Sequence, residues 1–121
     1  MFSSNIEGVE DLCLRIPVEL QSWNKFPKIL DLHYFADIND YGQEINCLDM
    51  VVSDKPKTYK ITLHLYNVHG KVAFNTYNGF YSGWTIDDLS GKGHEKENRF
   101  HLYSYEMDID PDIYCEKIAV E

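Results

Sequence analysis

Between Tyr59 and Phe80 the chain reads YKITLHLYNVHGKVAFNTYNGF, and the alternation in this stretch limits what the remainder can build. Tyr59, Ile61, Leu63 and Leu65 occupy every second position, with Lys60, Thr62, His64 and Tyr66 between them. Successive side chains of an extended chain point to opposite faces, so this spacing predicts a strand with one buried and one wetter face. Lys71 to Tyr77 repeats the pattern in shorter form, with Val72, Phe74 and Thr76 opposite Ala73, Asn75 and Tyr77. The break Asn67-Val68-His69-Gly70 separates the two runs, and Gly70 supplies a position that tolerates positive φ. The stretch is therefore expected to form the central hairpin of a sheet.

The flanking sequence supplies further strands. KILDLHYF (Lys28 to Phe35) sets Leu30, Leu32 and Tyr34 on one face, and EINCLDMVV (Glu44 to Val52) follows after the polar connection Ala36 to Gln43. Ser53 to Lys57 is a turn around Pro56, and Asn78-Gly79 is another turn signal. Thr85 to Leu89 is strand-like, and Ser90 to Glu97 reads as a wholly polar loop. In NRFHLYSYEM (Asn98 to Met107), Phe100, Leu102 and Ser104 point one way, and Arg99, His101, Tyr103 and Tyr105 the other. Asp108 to Asp112 forms an acidic turn around Pro111, and IYCEKIAV (Ile113 to Val120) reads as one closing strand.

Residues 4–23 carry two patterns. Ile6, Val9, Cys13, Ile16, Leu20 and Trp23 recur at three- and four-residue steps, and Ser4 could cap a helix before Glu7. Gly8 and Pro17 oppose a long helix, and a short strand at Leu12 to Ile16 is the alternative. A helical turn or short helix, then a strand or loop, is the expectation. The whole reads as a single domain over residues 1–121, mainly β or α+β: an antiparallel sheet or sandwich of about seven strands with a short N-terminal helix. No repeat or linker marks a second domain.

Charge narrows the function. Twenty acids against eleven Lys and Arg give a net charge of −9. Residues 1–83 carry ten acids and seven bases, net −3; residues 84–121 carry ten acids and four bases, net −6. Phosphate contacts are made by Lys and Arg, so nucleic acid and anionic membrane surfaces are disfavoured as partners, whereas a basic protein is allowed, and plain solubility is the bland reading of the same charge. No apolar run approaches the length of a membrane span, and MFSSNIEGVEDL lacks a signal-peptide pattern, so a cytoplasmic location is expected.

No motif of known chemistry is complete. Cys13, Cys47 and Cys115 are far apart and form no CxxC pair, so they read as small buried hydrophobes. His94-Glu95 does not extend to HExxH, and His33, His64, His69 and His101 have no zinc spacing. A calcium loop opening at Asp37 would need Glu where Leu48 stands. One opening at Asp108 meets Ile113 at the glycine position and Ala119 at the bidentate acid. There is no GxSxG, and Gly91-Lys92-Gly93 is too short to cradle phosphate. No cofactor, no metal and no enzymatic activity are expected.

The distinctive charged feature is the alternating series Glu106, Asp108, Asp110 and Asp112, joined by Asp87, Asp88, Glu95 and Glu97. Read blandly it is a solvated acidic turn. Read as a site it is an edge of carboxylates that faces Lys and Arg of a partner, with Tyr103 and Tyr105 as apolar anchors.

The order of features (WNKFPKILDLHYF, KITLHLYNVHGKV, NRFHLYSYEM, IYCEKIAV) resembles that of small acidic immunity proteins of bacterial polymorphic toxin systems, including those of contact-dependent growth inhibition. The resemblance spans roughly Trp23 to Val120 and lies in hydrophobic pattern. It implies a cytoplasmic inhibitor that binds a cognate toxin, often a basic nuclease, and blocks its active site or substrate surface. No individual residue role transfers, because such interfaces differ between toxins. The alternative is a small-ligand-binding or hydrolytic β-domain with a tyrosine-lined pocket using His64 or His101.

Overall fold

The structure, a computed structural model, describes residues 2–72, 84–91, 98–104 and 111–121. Eight strands form among them: β1 (Lys28–Ile38), β2 (Glu44–Ser53), β3 (Lys60–Tyr66), β4 (His69–Lys71), β5 (Trp84–Asp88), β6 (Phe100–Ser104), β7 (Asp112–Cys115) and β8 (Lys117–Val120). They make two four-stranded antiparallel sheets, ordered β1-β2-β3-β8 and β4-β7-β6-β5. The mainly-β expectation is met.

Period-two alternation dictates the packing. Ile61, Leu63 and Leu65 of β3 are fully buried, beside Val52, Met50 and Leu48 of β2 in register with them. From the second sheet Trp84, Ile86, Phe100, Leu102, Ile113 and Cys115 are buried in the same core cluster. Burying such side chains contributes about 1.5–3 kcal/mol each before chain entropy is subtracted.

The hairpin expected about Asn67–Gly70 does not form from β3 and β4, and residues 73–77 of its expected second run lie outside the described residues. β3 and β4 do not pair with each other: β3 lies between β2 and β8, and β4 pairs with β7 in the other sheet. Likewise the single closing strand expected at Ile113 to Val120 divides at Glu116, β7 entering one sheet and β8 the other. The two departures have one cause. Pairing keeps one register from Leu63↔Val120 through Tyr66↔Lys117 to His69↔Tyr114 and Lys71↔Asp112, so these segments form one two-stranded ribbon bent from sheet to sheet. At the bend Asn67 has a φ of 57°, Glu116 N donates to Tyr66 O (3.0 Å), and Val68 N donates to Asn46 O (2.8 Å). Strands that pass between sheets at a bend make the corners of sandwiches whose sheets cross steeply.

The N-terminal segment closes the core from the side. A single helix, α1 (Val9–Cys13), buries Val9 and Leu12, and turns of 3-10 helix follow at Val18–Leu20 and Trp23–Lys25. Pro17 precedes the first of these turns, and no strand forms at Leu12 to Ile16. The residue at the helix start is Gly8 rather than Ser4, with no side-chain cap. Phe2 packs on Trp23 (ring centroids 4.3 Å apart) and Trp23 on Trp84 (5.5 Å), while Trp84 Nε1 donates to Phe26 O at 3.0 Å. Beyond this cluster, Glu7 adds a parallel bridge to Ala119 along the outer side of β8.

Candidate interaction surface

On the outer side of the second sheet, the alternation that buries Phe100, Leu102, Ile113 and Ile86 turns His101, Tyr103, Tyr114 and Asp87 outward. Cross-strand register then aligns them. His69, Tyr114, His101 and Asp87 form one row across β4, β7, β6 and β5, and Lys71, Asp112, Tyr103 and Thr85 form the next. Side chains directly opposite on one face lie close enough to interact, each good pair contributing about 0.2–1 kcal/mol.

The rings stack. His101 lies 4.2 Å from Tyr114 with their planes 3° apart, and 4.5 Å from Tyr103 at 20°; His69 covers the far side at 5.9 Å from Tyr114. Carboxylates hold the row diagonally: His101 Nε2 donates to Asp112 Oδ1 at 2.7 Å, and the Tyr103 hydroxyl donates to Asp87 Oδ2 at 2.9 Å. His69 Nε2 donates to Asn98 Oδ1 at the end of the row. The result is a stacked aromatic row edged by two carboxylates.

Of the residues expected from sequence to meet a partner, Asp87, Tyr103 and Asp112 share this face. Asp88 does not. It pairs with Phe100 at the end of β5 and accepts hydrogen bonds from Ser3 Oγ (2.7 Å), Asn5 Nδ2 (2.6 Å) and Ser90 N (2.8 Å). Partial burial alone would raise its carboxyl pKa; the hydrogen bonds from Ser90, Ser3 and Asn5 outweigh it and lower the value to about 2. Glu95, Glu97, Tyr105, Glu106, Asp108 and Asp110 lie outside the described residues. His69, His101 and Tyr114 were not singled out from sequence as partner residues. The signal that could have found them is register, because Tyr114 joins His101 to His69 only once the ribbon bends as it does.

Comparison with protein families, curated proteins and solved structures finds no match to this chain.

The other histidine site is a salt-bridged surface pair. His64 Nδ1 donates to Asp49 Oδ1 at 2.8 Å across β2 and β3, with Glu121 Oε2 at 3.5 Å from Nε2. Burial of the imidazole works against its charge, but the Asp49 and Glu121 carboxylates prevail and raise its pKa. A cleft of about 420 Å³ opens at the β1–β2 turn, lined by residues including Asn39, Asp40, Tyr41, Glu44, Asn67 and Glu116, and neither His64 nor His101 lines it. Among the described residues no three His, Cys, Asp or Glu side chains gather as a metal-binding group, and no helix is long and apolar enough to cross a membrane.

Proposed function

We propose that this protein is an immunity protein, a binding inhibitor that neutralises a cognate basic toxin domain through the outer face of its second sheet. One observation carries the reading: Asp87 and Asp112 hydrogen-bond to a stacked row of Tyr103, His101 and Tyr114 on the outer side of the second sheet. Tyrosines supply large, stiff anchors that lose little rotamer freedom, and fixed carboxylates select Lys and Arg. The net charge of −9 adds long-range attraction for a basic nuclease and repels the nucleic acid that nuclease cuts. The resemblance in hydrophobic order to immunity proteins supports the same assignment. The hydrolytic or ligand-binding alternative gains less, because the cleft described at the β1–β2 turn contains neither candidate histidine.

Co-expression with the toxin domain encoded beside its gene should give a stable complex and restore growth. Failure of both would overturn the reading. Within the complex, Asp87→Lys combined with Asp112→Lys should slow association by roughly tenfold at low salt and flatten its salt dependence. Kinetics equal to the parent's would remove this face as the binding surface while leaving inhibition itself intact.

A further inference from the structure

We propose that the free edge of β1 pairs antiparallel with β1 of a second copy of this chain, in the two-fold register centred on Phe35. The surface is on the other sheet from the partner face and uses none of its residues.

The two edges of the first sheet are treated differently. Along β8 the Glu7 bridge occupies the ladder, with Glu7 N donating to Ile118 O (3.0 Å) and Val120 N donating to Glu7 O (2.8 Å). Along β1, β2 covers one side and no strand among the described residues covers the other. β1 is eleven residues long, whereas edge strands that remain single are commonly short, charged or bulged. Its one irregularity, between Ile29 and Asp31, leaves Leu32 to Ile38 in unbroken register with β2. Leu32 and Tyr34 stand on the core side, opposite Met50 and Leu48, yet are 39% and 52% exposed, and Ile38 is 68% exposed.

The order of residues along β1 selects a second copy as the occupant. Two-fold antiparallel pairing matches residues of one face, so each permitted register is centred on a residue. Centred on Phe35, His33 faces Asp37, Leu32 faces Ile38 and Tyr34 faces Ala36, each twice. Imidazole meets carboxylate on the outer face and apolar meets apolar on the inner face. Centred on Tyr34, Asp31 would face Asp37 twice. Centred on His33 or Ala36, a carboxylate faces Phe35, and the register centred on Leu32 runs the partner strand over the bulge. One register is self-complementary over the regular part of the strand. It joins the two first sheets into one continuous sheet and covers Leu32, Tyr34 and Ile38 of both copies.

A seven-residue edge pairing belongs to the small-interface class, below about 1,200 Å², so the dimer exchanges with monomer. Sedimentation equilibrium of the full chain over a concentration series should show the mass rising from one chain to two. His33→Asp sets a carboxylate opposite Asp37 in both halves and should weaken the dimer by about tenfold. The swap His33→Asp/Asp37→His should restore it, and since both variants place the same new charge beside Asp49 in the monomer, restoration separates pairing from folding. A chain that stays monomeric throughout overturns the proposal, as does a dimer indifferent to His33→Asp or one that the swap fails to rescue.

Discussion

Asp88 gathers donors from two distant segments, Ser3 and Asn5 on one side and Ser90 on the other. It thereby fastens the N-terminal segment to the end of β5, and its ionised form is the one those donors favour. With a folded pKa of about 2 against an ordinary 3.8, the stabilisation is complete above about pH 4 and is lost as pH falls through 4 toward 2. Asp88→Asn should therefore cost about 1–2 kcal/mol at neutral pH. Denaturant titrations at neutral and acid pH check this. The deficit of the variant should shrink as the pH approaches 2, and a deficit constant with pH would show that the carboxylate charge is not its source. His64 runs the opposite way: its raised pKa means that the Asp49 and Glu121 pairing stabilises below about pH 6.5 and is lost as pH rises through the folded value.

At the scale of elements, the bent ribbon depends on Gly70. Its φ is 95°, and a Cβ built there would lie 2.6 Å from the backbone O of Asp112 on the paired strand. Both the left-handed conformation and the close approach of β7 require glycine. Gly70→Ala should cost about 1–3 kcal/mol by forcing β4 away from β7. Ring proton shifts of Tyr114 should move with the fall in unfolding midpoint, because the His69 stack departs with β4; an unchanged midpoint would refute the strain.

This element also shows where sequence is legible. Gly70 could be assigned a positive φ from its place at a break between alternating runs, and the buried parity of Ile61, Leu63 and Leu65 follows from spacing alone. The partner strand of β3 could not be assigned so. Local alternation specifies which face is buried but not which sheet a strand joins, and a bend at Asn67 and Glu116 keeps the alternation intact while moving the chain between sheets. The candidate surface follows the same division. Asp87, Tyr103 and Asp112 were recoverable as outward-facing positions, whereas the contribution of His69 and Tyr114 depends on a pairing between residues far apart in the chain. The short helix was legible in outline, since Gly8 and Pro17 bracket it and allow about two turns at most.

At the scale of the whole molecule, the shared ribbon couples the sheets. Cys47 sits buried in β2 of the first sheet and Cys115 buried in β7 of the second, so each reports on one layer. Burial pushes the Cys115 thiol up to about 12 and the Cys47 thiol upward as well, and both are correspondingly unreactive in the folded state. Single-domain cooperativity predicts that both thiols become alkylated over the same denaturant interval. Cys13, only partly buried, should react first. Separate intervals for Cys47 and Cys115 would show that the layers open independently.

The position of β8 in the first sheet bears on how the protein is made. β3 lies between β2 and β8, but Lys117–Val120 emerges from the ribosome long after Lys60–Tyr66. Until then Leu63 and Leu65 lack the neighbours Val120 and Ile118, and Glu7 has no strand on which to lie. Contacts of such sequence separation slow folding, since loop closure precedes any reward. A nascent chain would thus hold an open β-edge at β3 until Lys117–Val120 has been made, and the arrival of that strand would complete the first layer.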